Sequence, residues 1–425
     1  MLPLKVQPFD PEQIQQFVRN WYQEVEALYY PYREDVAAQA AHEQTTNLLN
    51  AINNDKNLKK LAENPLLLTL ITKVHQQKQS LPQKRVELYH LICDVLLGER
   101  PKAKAMQGQF SIAEKRSILE PLALELMQRN APTFRFEAVT AFLQQQLDKF
   151  PNPPTPQAFL KQLEDVDALI AKEREGDYEF AHKSFQEYLA AARVKETKDD
   201  AVFLQVLQDP KNLSWWEETM RLYAAQTDAS RLVDAIVQKP ALEKMLLAWD
   251  FCQEGRVGAT QRNALLDLSN EPLKVLEPED YQAAVELQPR YFPLAHYLQT
   301  GDLRAADRET YRVMDRVMGG WSLQGIKDFP CQDLRVIDQL WLKYSQGKFG
   351  FSVQKQIWVE VGGKLDYAED LDSAETAWSE LYELVNWRTV RYGLTAPRGH
   401  LPVTAFVTLV GGSSSLASRS VDCNL

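Results

Sequence analysis

From Ile14 to Leu28 the apolar positions Ile14, Phe17, Val18, Trp21, Val25 and Leu28 recur at the helical period, so this stretch reads as an amphipathic helix with one buried face. Its start is marked by Asp10-Pro11-Glu12-Gln13, which supplies a capping carboxylate, a proline at the first helical position and a glutamine at the third. Asn64-Pro65 repeats the device before LLLTLITKVH, a continuous apolar run that predicts a helix buried around most of its circumference. Further helices are predicted near 111–129, 137–147 and 155–167, with PNPPTP at 151–156 forced into a loop by its prolines. From Ala168 to His182 the pattern changes, and DALIAKEREGDYEFAH reads as two short strands around a charged, glycine-containing turn. Helices followed by such a hairpin suggest a winged-helix module.

Residues 196–290 return to amphipathic helix, including WWEETMRLYAA and ALEKMLLAWDFCQ, and carry no chemical motif. Asp302 then caps a helix whose expected apolar face is Leu303, Ala306, Tyr311, Met314 and Val317, and MGGWSLQG ends it. DLRVIDQLWLKYS places Leu334, Ile337, Trp341 and Tyr344 on one stripe, and a second helix is expected from a Ser352 cap to Gly362-Gly363. No solenoid-length repeat is evident. The fold class predicted is mainly α: a multi-domain helical protein with a small winged-helix β-hairpin and an all-α C-terminal domain.

Composition narrows the function classes. The 425 residues allow two or three domains, and 45% hydrophobic with 25% charged residues is ordinary globular usage. A net charge of −10 argues against a chain-wide phosphate-backbone binder. The third winged-helix segment, PQAFLKQLEDVDAL, carries more acid than base, so nucleic acid is not an expected partner. Cys93, Cys252, Cys331 and Cys423 lie far apart without a CxxC pair, which predicts reduced thiols and neither a zinc site nor a disulfide framework. No run is long and apolar enough to span a membrane, and the N-terminus lacks a signal peptide's apolar core, so a cytoplasmic location is expected.

Between the two C-terminal helices sits QGKFGF, whose Gly347 and Gly350 allow a tight reversal and would leave Phe349 or Phe351 exposed near a loop. Trp341, Tyr344 and Trp358, at helical spacing, read instead as core. Cations lie close in sequence: Lys343, Lys348 and Lys355, then Arg388, Arg391 and Arg398 within NWRTVRYGLTAPRGHLP. Rings beside cations suit a flat, largely apolar, dianionic ligand. No nucleophile, base and orienter combination and no metal-ligand spacing is found, and Asp333 and Asp338, five apart, read as capping or pairing groups.

Two resemblances extend this reading. ENPLLLTLI at 63–71, LPQKRVELY at 81–89 and YEFAHKSFQEYLAA at 178–191 resemble the C-terminal helical and winged-helix part of a NACHT-family signalling NTPase. The resemblance implies that Pro65 lies against a nucleotide base and that His182 reaches a β-phosphate. The residues alone give a plainer account, a first-turn proline and a capping or core histidine. GxxxxGK[ST] occurs nowhere, so this chain by itself is not expected to bind or hydrolyse ATP usefully. Truncation of a longer or split protein, a misassigned start and decay into a scaffold all remain open, and a P-loop-containing upstream segment or chain is an expected partner.

FPCQDLRVIDQLWLKYSQGKFGFSVQKQIW, the preceding AADRETYRVM, and the later VNWR and APRGHLP resemble the genomes-uncoupled-four family of tetrapyrrole-binding proteins, which stimulate magnesium chelatase. The resemblance implies a non-enzymatic, all-α module that binds protoporphyrin IX or Mg-protoporphyrin IX in a cup made by the QGKFGF region and the segment from Trp387 to Leu401. Phe349, Phe351, Lys355, Trp387, Arg388, Arg398, His400 and Leu401 are the candidate binding residues; no catalytic residue and no resident metal is expected. Asn386 stands where the family often has glycine, and the Trp387–Pro397 loop is shorter than usual. His400 is a candidate axial ligand to a metalloporphyrin, against the plainer role of a histidine that fixes its loop.

The domains expected are 1–95 (NACHT-associated helical), 96–195 (winged-helix-like), 196–290 (helical linker), 291–410 (tetrapyrrole-binding) and 411–425 (disordered tail). Function is read as porphyrin sensing or chelatase assistance coupled to a truncated switch, with the large subunit of magnesium chelatase as a partner. The alternative is the regulatory, protein-recognising part of a NACHT signalling NTPase.

Overall fold

The computed structural model describes residues 7–82, 84–99, 110–174, 176–363, 371–403 and 419–425. The chain divides into two compact units, residues 1–232 with 250–257, and residues 233–249 with 258–425, so the stretch read as a helical linker is shared between them. Both are mainly helical, as predicted.

The first unit opens with α1 (Pro11–Tyr29), whose capping box between Asp10 and Gln13 forms as expected. It packs antiparallel to α2 (Glu34–Asn54) and is followed by α3 (Lys56–Ala62), α4 (Pro65–Lys78) and α5 (Arg85–Asp94). Leu67, Leu68, Leu70, Ile71 and Val74 of α4 are all buried, as the unbroken apolar run requires. The winged-helix part comprises α6 (Ile112–Gln128), β1 (Thr133–Arg135), α7 (Phe136–Leu147), α8 (Pro156–Gln162), β2 (Ile170–Arg174), β3 (Asp177–Phe180) and α9 (Lys183–Thr197). The predicted hairpin is β2–β3, and the sheet gains a third strand, order β1-β3-β2, all antiparallel. At three residues β1 is too short to carry a readable alternation.

Two π-helical turns, Val95–Glu99 and Leu163–Asp167, interrupt the regular helices, and both are met by one side chain. The Lys115 ammonium donates to the Leu97 carbonyl at 2.9 Å and to the Asp167 carboxylate at 2.9 and 3.0 Å. Wide turns free backbone carbonyls, and a buried cation that serves one must also find a counter-charge. The unit continues with α10 (Ala201–Gln208) and α11 (Leu213–Ala224). Next in the chain come α12 (Ser230–Gln238) and α13 (Leu242–Glu254).

The second unit contains α14 (Ala259–Asn270), α15 (Pro278–Glu286), α16 (Phe292–Thr300), α17 (Leu303–Met318), α18 (Leu323–Lys327), α19 (Cys331–Tyr344), α20 (Phe351–Glu360) and α21 (Leu371–Leu384). Asp302 caps α17 through the Ala305 amide at 3.0 Å, as predicted. The buried face of α17 is Leu303, Ala306, Val313 and Met314, whereas Tyr311 turns aside to stack on Trp321 with centroids 4.8 Å apart. One expectation fails outright: Cys331 and Cys423 are joined by a disulfide across 92 residues, while Cys93 and Cys252 are not disulfide-bonded. Nothing in linear spacing announces a pair brought together by the fold. Of the tail read as disordered, residues 411–418 lie outside the described residues, while 419–425 form a helical turn with Cys423 buried. Among the described residues no helix is long and apolar enough to cross a membrane.

Candidate functional site

The QGKFGF turn and the segment after α21 are brought together, as the sequence implied, by a dense set of hydrogen bonds. Gly350 donates its amide to the Leu401 carbonyl (3.1 Å), and Gly399 donates to the Lys348 carbonyl (2.9 Å). The Gln354 amide nitrogen reaches the carbonyls of Gly399 and Pro402, both at 3.0 Å. Gly350 sits at φ 134°, where an L side chain is strained and where an added Cβ would lie 2.7 Å from an Asp338 oxygen. That glycine lets Asp338 of α19 cap α20 through the Ser352 amide at 2.9 Å, a role expected of Ser352 itself.

The reversal turns its phenyl rings inward. Phe349 and Phe351 are 0% and 1% exposed, so neither is the exposed ring that was expected. Trp387 and Leu401 are equally buried, at 3% and 0%. With Leu334, Ile337, Trp341 and Trp358 they belong to the unit's core, which bears out the core reading of Trp341 and Trp358. Tyr344 is half-buried and donates to the Pro272 carbonyl at 2.7 Å.

His400 is fully buried and both ring nitrogens are engaged. Nδ1 donates to the Val385 carbonyl (2.5 Å), while Nε2 accepts the Arg391 amide (2.8 Å), which fixes the neutral Nδ1–H tautomer. The His400 carbonyl in turn accepts the Trp387 indole N–H at 2.7 Å. This is the loop-fixing role, and no ring nitrogen is left to ligate a metal. Asn386, which stands at an expected glycine position, adopts φ 56°, a left-handed conformation that asparagine tolerates.

The candidate cations are partly committed. Lys355 donates to the Leu425 carbonyl, Arg388 pairs with Glu383 while staying largely exposed, and Arg398 meets Glu360 (3.2 Å) and Gln356 (2.5 Å). Lys348 reaches the Leu394 carbonyl at 2.5 Å.

What this framework holds outward is a different set of residues. Val390, Tyr392 and Leu394 are 39%, 39% and 56% exposed, interleaved with exposed Arg388 and Arg391. The Arg304 guanidinium of α17 lies 5.5 Å from the centre of the Tyr392 ring. Burial and the neighbouring Asp307 both push the Tyr392 hydroxyl above its ordinary pKa, and the same Asp307 carboxylate accepts the Val403 amide at 2.7 Å. Sequence reasoning missed Arg304, Asp307, Val390, Tyr392 and Leu394; the available signal was the alternation of apolar and polar residues in TVRYGL, typical of a half-exposed segment.

The nucleotide-contact candidates of the first unit lie apart from this surface in sequence and serve as caps. Asn64 caps α4 by accepting the amides of Leu66 and Leu67, with Pro65 at the first helical position. His182 caps α9 through Nδ1, which accepts the Ser184 amide at 3.2 Å; burial lowers its pKa. Asn64 and His182 line a half-open cavity of about 530 Å³ that also contains Lys60, Arg85, Glu218, Arg221, Asp250 and Glu254. Its two arginines are paired within it: Arg85 meets Glu218 at 2.6 Å and Glu254 at 3.4 Å, and Arg221 meets Asp250 at 2.7 Å. Among the described residues no group of three or more His, Cys, Asp and Glu side chains could hold a metal.

Comparison with known proteins adds two matches. Residues 284–419 match a family model described as GUN4-like, and residues 85–194 match one described as a winged helix-turn-helix domain C-terminal to NACHT. A tetrapyrrole-binding protein of Arabidopsis thaliana chloroplasts is 31% identical over 131 residues, 26% of this chain and 47% of that protein. A Porphyra purpurea protein called uncharacterized protein ycf53 is 31% identical over 31% of this chain and 53% of its own length. A Ycf53-like protein of Synechocystis is 27% identical over 40% and 74%. The chain thus spans about half the length of the first two. The GUN4 structure from Chlamydomonas reinhardtii aligns at 25% identity over 31% of this chain and 86% of that one, with a TM-score of 0.25. This chain therefore carries a GUN4-like segment, and ahead of it a segment like the winged-helix domain that follows NACHT.

Proposed function

We propose that the chain binds a tetrapyrrole through its second unit, without catalysing a reaction, and regulates a partner accordingly. The observation that supports this most directly is the outward row Val390, Tyr392 and Leu394 with Arg388, Arg391 and Arg304, which lies within the GUN4-like segment and offers apolar contact beside cations. A porphyrin needs both, area for its π face and donors for its carboxylates. Protoporphyrin IX and Mg-protoporphyrin IX are the ligands to try, and a magnesium-chelatase subunit is the partner to try.

The test is titration of the full chain with each porphyrin, following the Soret band and tryptophan quenching. Saturable binding at low-micromolar affinity or tighter, about 8 kcal/mol or more, weakened tenfold or more by Tyr392→Ala or Leu394→Ala, supports the reading. Absence of binding by the folded chain refutes it.

A second reading draws on the first unit. Leu28, Tyr29 and Tyr32 are 81%, 67% and 96% exposed at the α1–α2 turn, and exposed tyrosines are common at protein interfaces. The chain would then be the recognition part of a NACHT-type assembly, and Tyr32→Ser would weaken a protein complex while leaving porphyrin titrations unchanged.

A further inference from the structure

Seven residues at the end of the chain, 419–425, are too few to hold a helical turn by themselves. Their own backbone hydrogen bonds are local, Cys423 N–H to the Arg419 carbonyl, Asn424 N–H to Val421 and Leu425 N–H to Ser420, at 3.0, 2.9 and 2.9 Å. Polar contacts that fasten the turn to the second unit include Arg419 Nε to the Phe329 carbonyl (2.8 Å) and Lys355 to the Leu425 carbonyl. Leu425 packs against the core, and the covalent anchor is Cys423, 2% exposed and bonded to Cys331, the first residue of α19.

We propose that the Cys331–Cys423 bridge is a thiol-controlled latch that keeps this turn docked, and that reduction releases it while the core of the second unit stays folded. Three features carry the inference. Cys331 is only partly buried, so an external thiolate can reach the bridge. Attack at the Cys331 sulfur expels Cys423 as the leaving thiolate, so the sulfur set free belongs to the short terminal turn. The core beneath takes most of its residues from α16, α17, α19 and α20, with Cys423 as one member among them and Cys331 packed against it. By contrast Cys93 is fully buried, its thiol pushed up to about 12, and takes no part.

The chemistry balances simply. A dithiol reductant gives up two electrons and two protons and becomes a disulfide; the Cys331–Cys423 bond breaks and two thiols form. Glutathione disulfide reverses the step. Release frees the Lys355 ammonium and uncovers the surface under Cys423 and Leu425. The inference stands whether or not the chain binds a tetrapyrrole.

Hydrogen exchange on the full chain, incubated with glutathione disulfide or with dithiothreitol, is the test, with thiols counted in denaturant. Two reactive thiols in the oxidised sample and four in the reduced one are expected. The amides of residues 423 and 425 should exchange about tenfold faster or more on reduction, while tryptophan near-UV circular dichroism is retained. Cys331→Ser should show fast exchange at 419–425 without reductant, and the Cys93→Ser, Cys252→Ser double variant should behave as wild type. Four reactive thiols after oxidation, a turn equally protected in both states or in Cys331→Ser, or loss of the near-UV signal on reduction would each overturn the latch.

Discussion

Lys115 and Asp167 offer the sharpest test of how the winged-helix part is held together. Their side chains are 1% and 0% exposed, and the ammonium also satisfies a carbonyl freed by a π-turn. Removing one partner strands the other charge away from water, which costs about 3–5 kcal/mol, whereas replacing both by apolar groups of similar volume is often near neutral. Lys115→Met and Asp167→Leu should therefore each lower the midpoint of the first unit's unfolding by about 10 °C, at roughly 2–4 °C per kcal/mol for a unit of this size. The double variant should recover most of that loss, apart from about 1–3 kcal/mol for the orphaned Leu97 carbonyl. Urea and thermal unfolding followed by tryptophan fluorescence gives all three values. Single losses under about 1 kcal/mol, or a double variant whose loss is the sum of the two, would refute the claim that the pair is a dry, mutually dependent unit.

Gly350→Ala should destabilise the second unit by about 1–3 kcal/mol, measured by urea unfolding, because its φ of 134° and the nearby Asp338 oxygen leave no unstrained place for a Cβ. His182 has its pKa lowered by burial, so the neutral cap stabilises the fold above the ordinary histidine range and that contribution is lost as pH falls through the lowered value. His182→Asn keeps the cap without the titration, and should reduce the pH dependence of unfolding between pH 7 and 5 by up to one proton, while His182→Ala should cost about 1 kcal/mol. His400→Leu should orphan the Val385 carbonyl and the Arg391 amide, costing about 2–4 kcal/mol, and should speed proteolysis within 387–400.

Much of the fold was legible because its signals are local. The Asp10–Gln13 capping box, Asn64-Pro65 and Asp302 each act within four residues of themselves, and each formed as predicted. The hairpin after Ala168 was equally readable, while β1 was not, since it is a strand only because β3 lies beside it. The disulfide escaped for the same reason. The candidate site was half legible. The family resemblance paired the QGKFGF turn with the segment from Trp387 to Leu401, and backbone hydrogen bonds do join them, but it did not say which way their side chains point.

That error has a physical origin. A glycine-rich turn containing two phenylalanines is compatible with exposed rings or with a reversal that drives them inward, and the choice depends on what the rings meet. Here they meet Trp341 and the rest of a core already assembled by the neighbouring helices, and burying each ring is worth about 2–3 kcal/mol. Once Phe349, Phe351 and Trp387 are spent on the core, the loop they anchor can hold Val390, Tyr392 and Leu394 at its surface without collapsing. His400 and Asp307 tie its two ends down, so the fold itself holds the outward apolar row in place. Substitutions inside this framework should change stability first and binding only as a consequence. Substitutions on the outward row should change binding alone, and that separation is what distinguishes a preformed recognition surface from a sticky core turn.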